Sequence, residues 1–200
     1  KVYSTRATTE VSWFQEHAER SLQLIRSTEL DKAATIIDVG GGASTLVDDL
    51  VADGYTNLTV LDLSSAAIAV AKQRLGEHAG AVNWLVGDIV HANFPEHHFD
   101  LWHDRAVFHF LTDPKDRQAY VELAMKAVRP GGHVIIATFG EDGPEKCSGL
   151  PVVRYRPEAL HGEFGEGFLL VDHQKEVHQT PSGSAQQFVY CYCRKGDNQS

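Results

Sequence analysis

The sequence predicts an α/β fold: a doubly wound, mostly parallel sheet of seven strands that ends in an antiparallel C-terminal hairpin. Three observations carry that expectation. Short apolar runs alternate with helical segments of about ten to fifteen residues, the pattern of parallel strands joined by right-handed crossovers. A glycine-bearing turn, Gly40-Gly41-Gly42, follows the first apolar run and opens a helix. Near the C-terminus, two strand-like stretches flank the turn-rich Thr180-Pro181-Ser182-Gly183-Ser184.

The elements follow in order. Ser12 to Thr28 reads as a helix ahead of the sheet, because Phe14, Ala18, Leu22 and Ile25 recur at spacings of three and four and form one apolar stripe. Thr35 to Val39 reads as a buried strand, and Ser44 to Asp53 as a helix with Leu46, Val47 and Leu50 facing inward. Leu58 to Leu61 is strand-like, Ser64 is an N-cap for a helix running to about Leu75, and Val82 to Val86 is strand-like again. Phe99 to His103 forms a fourth strand. Asp113-Pro114 couples an N-cap to a proline at the first helical position, so a helix opens there and runs to about Val128, where Arg129-Pro130-Gly131-Gly132 ends it. Val134 to Phe139 is the fifth strand. After a short helix from Pro157, Phe168 to Val177 and Gln186 to Arg194 form the hairpin, with the last strand inserted antiparallel.

Length and charge narrow the function. The 200 residues suit one domain with its own core, residues 1–30 serving as an N-terminal helix or lid and 31–200 as the core proper. Lysine and arginine total 18 against 27 aspartates and glutamates, and the net charge of -9 repels a phosphate backbone, so no nucleic-acid partner is expected. Arg105, Arg117, Lys126 and Arg129 are scattered among acidic residues and read as a solvated face. No run of about eighteen apolar residues exists to span a membrane. Cys191 and Cys193, one residue apart, are neither a redox pair nor half a zinc site; on a strand they share one face and belong in the core. Such cysteine usage fits a reducing compartment, and a cytoplasmic protein is expected. The chain starts at Lys1, so a trimmed or processed piece is expected.

Asp38-Val39-Gly40-Gly41-Gly42-Ala43-Ser44 leaves a strand and opens a helix, where bare backbone amides and the helix N-terminus favour a polar or anionic group. Asp62 ends the next strand, 24 residues after Asp38, where an acid accepts hydrogen bonds from both hydroxyls of a ribose. A nucleoside is the ligand these two features describe, and they serve a nicotinamide dinucleotide as well as a nucleoside of another kind. Thr45 stands where the dinucleotide motif has a small residue, which weakens the nicotinamide reading.

Four features together resemble the class I, seven-β-strand, Rossmann-like methyltransferases that use S-adenosylmethionine. They are the acidic-x-Gly-x-Gly pattern of Asp38 to Gly42, Asp62, the Gly87-Asp88-Ile89 run after the third strand, and Leu123 to Phe139 with its Arg129-Pro130-Gly131-Gly132. The resemblance implies S-adenosylmethionine as cofactor, with Asp38, Gly40 and Gly42 toward its methionine part, Asp62 at the ribose, Asp88 at the adenine amino group, and Leu63 and Ile89 also at the cofactor. One departure stands out: Ser44 replaces the family's third glycine, and Gly41 is an extra glycine inside the turn. Val11 to Gln15, with Trp13, is placed over the cofactor as a lid by the same resemblance, with packing against the sheet as the alternative.

Methyl transfer from a sulfonium needs alignment and exclusion of water more than acid–base chemistry, so few catalytic residues are expected. Asp104, at the end of the fourth strand, is the first candidate to accept a proton from the nucleophile or orient it, with N-capping of the next segment as its alternative role. His109 is a second candidate base, if Ala106 to Leu111 is helical and faces the site; otherwise it is a buried structural histidine. His97-His98 lack further ligands at metal spacing, so no metal is expected. The implied acceptor is a nitrogen, sulfur or oxygen of a small molecule or a protein side chain. His103 to Phe108 and Phe164 to Phe168 look similar to parts of protein-lysine methyltransferases, and a cofactor-binding module without catalysis is the remaining alternative.

Overall fold

The computed structural model describes residues 18–180 and 183–197. Its centre is a seven-stranded sheet built from β1 (Thr35–Val39), β2 (Asn57–Asp62), β3 (Val82–Val86), β4 (Phe99–Arg105), β5 (Val128–Phe139), β6 (Phe168–Gln179) and β7 (Ala185–Lys195). The strands lie side by side in the order β3-β2-β1-β4-β5-β7-β6. The first five are parallel, and β7 enters antiparallel between β5 and β6. The expected doubly wound sheet with its antiparallel hairpin is therefore present.

Strand pleat sends alternate residues to opposite faces, and each face carries its own core. Ile36, Leu101, Ile135, Ala137 and Tyr190 join one cluster. Their chain neighbours Ile37, Trp102, Val134, Ile136 and Cys191 join the other. Helix α1 (Glu19–Ser27) covers the first face with Leu22, Leu24 and Ile25, beside α2 (Leu46–Ala52) with Leu46, Val47 and Leu50. Helix α3 (Ser65–Leu75) adds Leu75 to that face. Helix α4 (Pro114–Ala127) covers the second with Tyr120, Ala124 and Ala127, and α5 (Pro157–Phe164) with Leu160 and Phe164. Each fully buried Leu, Ile or Phe contributes about 1.5–3 kcal/mol. Cys191 and Cys193 share the second face, as expected, with their Sγ atoms 3.3 Å apart.

Local signals set several boundaries. Ser64 caps α3 by accepting from the Ala67 amide at 3.1 Å, and Asp113 caps α4 by accepting from the Lys115 amide at 2.9 Å. Two expectations need correction. Helix α2 opens at Leu46, not Ser44, because Gly41–Ala43 first forms a 3-10 turn. Arg129-Pro130-Gly131-Gly132 does not separate helix from strand: β5 begins at Val128, paired with Phe99, and rejoins β4 at His133, paired with Leu101. The four residues are an excursion inside the ladder, turned by Gly131 at φ 70°. Lys146–Cys147 and Leu150–Pro151 form a small antiparallel hairpin that the sequence reading did not place. Of the helix expected over Ser12 to Thr28, Glu19–Ser27 is present, and residues 12–17 lie outside the described residues. Among the described residues no helix is long and apolar enough to cross a membrane.

Candidate active site

The C-terminal ends of the parallel strands surround a cleft of about 790 Å³, within the size range of cofactor sites. Its floor is the bend after β1. Gly40 has φ 72°, a left-handed conformation, and a side chain there would meet Val107 at 2.1 Å. Its amide donates to the Leu61 carbonyl at 2.6 Å, which ties the bend to the end of β2. At Gly41 a Cβ would lie 2.1 Å from Asp38 Oδ2, and at Gly42 a Cβ would lie 3.0 Å from the Asp62 carboxylate. A side chain is thus disfavoured at all three positions, each for its own reason, and the extra glycine leaves room for a carboxylate beneath it.

Asp62 braces this bend. Its Oδ2 accepts from the Gly42 amide at 3.1 Å and its Oδ1 from the Ser64 amide at 2.8 Å. Burial raises its carboxyl above the ordinary range, while the Ser64 and Gly42 amides pull it back. The residue is 5% exposed and still lines the cleft. Beside it Leu63 is 71% exposed, an apolar surface that a planar base would cover. Asp88 caps the 3-10 turn Ile89–His91 by accepting from the Val90 amide at 3.1 Å, and both Asp88 and Ile89 line the same wall.

The cleft therefore brings together Gly40, Asp62, Leu63, Asp88 and Ile89 of the residues expected at the cofactor. Gly42 shapes the bend from below. Asp38, 3% exposed, turns away from the cleft: its Oδ1 meets His103 Nδ1 at 2.7 Å and its Oδ2 packs under Gly41. Trp13 lies outside the described residues. The far half of the cleft was not legible in the sequence. It is lined by Arg105, Phe110, Thr112, Asp116, Ser148 and Leu150. The Ser148-Gly149 dipeptide was the available signal, since both residues have positive φ, 51° and 83°, as a tight two-residue hairpin turn requires.

The two catalytic candidates are placed elsewhere. Asp104 is fully buried on the α4 face and accepts from the Val107 amide at 2.9 Å, the Phe108 amide at 3.1 Å and the Tyr120 hydroxyl at 2.6 Å. It has the capping geometry, and none of its atoms lines the cleft. Burial pushes its carboxyl up to about 6, against the pull of Tyr120 and the two amides. His109 lies in the 3-10 turn Phe108–Phe110, also fully buried, and its Nδ1 accepts from the Phe139 amide at 3.2 Å. Burial, with the Arg105 charge nearby, lowers its imidazole to about 3, so the neutral ring carries its proton on Nε2 and has no lone pair to offer as a base. Among the described residues no cluster of three or more His, Cys, Asp or Glu is arranged to hold a metal ion.

The glycine bend supports two expected outcomes. Gly41→Ala should cost about 1–3 kcal/mol of unfolding free energy in urea titration, because Asp38 has to give way. Gly87→Ala, where a Cβ meets nothing within 4 Å, should be neutral.

Asp104 supports a third. Between about pH 4 and 6 the folded protein holds a proton on this carboxyl that the unfolded chain has released, so stability from the site is fullest below pH 4 and is lost as pH rises through 6. The gap in unfolding free energy between wild type and Asp104→Asn should therefore shrink, by on the order of 3 kcal/mol, from pH 4 to 7. A gap that is constant across this range would contradict the assignment.

Comparison with known proteins matches this architecture to a function class. A family model described as a methyltransferase domain matches residues 36–132, which run from β1 to the Gly131-Gly132 excursion. The chain is 33% identical over 143 residues to a malonyl-[acyl-carrier protein] O-methyltransferase of Anoxybacillus flavithermus, covering 70% of this chain and 52% of that protein. It is 28% identical over 133 residues to EEF1A lysine methyltransferase 2 of Danio rerio, covering 63% of this chain and 57% of that one. The chain thus spans about half the length of these curated relatives. The fold is shared with the Burkholderia thailandensis 1,6-didemethyltoxoflavin-N1-methyltransferase, solved with its acceptor and S-adenosylhomocysteine, at a TM-score of 0.70 and 22% identity, over 98% of this chain and 82% of that one. The matched domain, these relatives and the strand order agree: the chain belongs to the class I S-adenosylmethionine-dependent methyltransferases.

Proposed function

We propose that the protein transfers a methyl group from S-adenosylmethionine to a nucleophilic nitrogen, sulfur or oxygen of a small molecule or a protein side chain. The observation that carries this reading is Asp62, one carboxylate that both braces the glycine bend and lines the cleft. Each of its oxygens keeps a second lone pair for a ribose hydroxyl. Exposed Leu63 and the capped turn at Asp88 and Ile89 offer an apolar face and an acceptor carboxylate to an adenine. Gly40 leaves the backbone bare where the methionine part would pass.

The bound cofactor supplies an electrophilic methyl on a positively charged sulfur. The protein's share is to hold that methyl in line with an acceptor and to keep water out. The far half of the cleft, between the turn after β4 and the Lys146–Pro151 hairpin, is where we place the acceptor. Asp104 and His109 keep a structural part in this reading, holding the turn after β4 against α4 and β5. Relatives are named as a malonyl-[acyl-carrier protein] O-methyltransferase and an EEF1A lysine methyltransferase, which favours no one kind of acceptor. We place the protein in a reducing compartment, the cytoplasm, on the strength of its three buried cysteines, which form no disulfide.

Calorimetric titration with S-adenosylmethionine and S-adenosylhomocysteine should give one saturable site. Asp62→Ala should weaken that site by roughly 1.5–3 kcal/mol through loss of charged hydrogen bonds. Labelled methyl from the cofactor should pass into cell extract, and sizing the labelled product separates protein from metabolite. Binding without any transfer would leave a cofactor-binding module, and unchanged affinity in Asp62→Ala would remove that carboxylate from the site.

A further inference from the structure

On the α1 face, behind the cleft, three side chains from three elements form a continuous buried chain. Asp38 Oδ1, at the end of β1, lies 2.7 Å from His103 Nδ1, at the end of β4. His103 Nε2 lies 2.8 Å from Ser21 Oγ, on α1. Ser21 also bonds the hydroxyl of Tyr190 on β7, which accepts from Arg105 Nε at 3.0 Å, and Arg105 lines the cleft. The order serine, histidine, aspartate is that of a nucleophilic triad. Ser21 is 0% exposed, His103 2% and Asp38 3%, so no substrate reaches the hydroxyl and a hydrolytic role is excluded.

A buried polar chain of this kind is expensive, and an apolar replacement of equal volume is often as stable. What it does here is geometric. With Oδ1 engaged by His103, the Asp38 carboxylate is fixed in rotation, and its other oxygen forms the surface on which Gly41 rests. The height of the bend that floors the cleft is then set by how firmly the histidine holds the aspartate. The histidine is itself held by a serine on α1, the helix that follows the N-terminal segment.

We infer that Ser21, His103 and Asp38 act as one positioning unit, which fastens α1 to the sheet and sets the glycine bend at the height the cofactor needs. None of the three touches the cofactor; each acts through Gly41. The inference rests on the cofactor reading given above, because it requires a ligand seated on that bend.

The test is the affinity of S-adenosylhomocysteine for wild type and Ser21→Ala, together with the NMR resonance of the His103 Nδ1 proton on the wild-type protein. Ser21→Ala removes only the outer end of the chain and leaves an apolar methyl on α1. It should stay folded and lose about three- to tenfold in affinity, the size of one buried hydrogen bond. The His103 proton should shift and exchange more slowly when the ligand binds. Wild-type affinity in Ser21→Ala, with a His103 resonance indifferent to ligand, would overturn the inference and leave the chain a clasp for α1 alone. Failure of the wild-type protein to bind S-adenosylhomocysteine at all would instead overturn the cofactor reading beneath it. If Ser21→Ala does not fold, the wild-type resonance decides.

Discussion

One carboxylate holds the site together. Asp62 sits at the end of β2, yet it reaches across to the bend after β1 and forward to the start of α3, accepting the amides of Gly42 and Ser64 on its two oxygens. The bend cannot rise without losing the first bond, and α3 cannot shift without losing the second. Gly42 has no side chain because the carboxylate occupies that space. Two residues twenty apart in sequence are therefore one structural unit, and burial of the charge is tolerated because two oriented amides meet it.

The same economy appears at the end of β4. His103 and Asp104 are consecutive, so the pleat sends them to opposite faces of the sheet. His103 reaches Asp38 and Ser21 and so secures α1. Asp104 reaches Tyr120, whose hydroxyl also accepts from Trp102 Nε1 at 2.8 Å, and so secures α4. Two helices on opposite faces are anchored by adjacent residues of one central strand. Neither residue enters the cleft, which leaves that space to the backbone bend, to the wall at Asp62 to Ile89 and to the two loops of the far half. A cleft of this make-up suits the proposed catalysis by holding two reactants in register, which asks least of acids and bases.

Most of the fold was legible because its signals are local. Strand and helix periodicity, the caps at Ser64 and Asp113 and the hairpin turn near residue 180 each sit within a few residues of the element they define. Asp62 and Asp88 were legible as cleft residues for a related reason: one ends β2 and the other follows β3 by two residues, where the carboxyl ends of the strands point at the cleft. Asp38 and Asp104 lie at strand ends too and His109 in the turn after β4, but pleat parity and packing decide whether such a residue faces the cleft or the core, and neither is written in a single stretch of sequence. The excursion at Arg129 to Gly132 was hidden because a proline–glycine run marks a chain reversal without telling whether the ladder resumes beyond it. The far half of the cleft was hidden most completely, since it is assembled from the turn after β4, the first turn of α4 and a short hairpin that only the tertiary fold brings together.

The most direct measurement is a crystal structure of the protein grown with S-adenosylhomocysteine. The account predicts adenosine lying across the ends of β1, β2 and β3, both ribose hydroxyls on the Asp62 carboxylate, the base against Leu63, and the Gly40–Gly42 backbone unmoved. A nucleoside bound elsewhere, or a cleft filled by the protein's own side chains with Asp62 turned from the ligand, would contradict it.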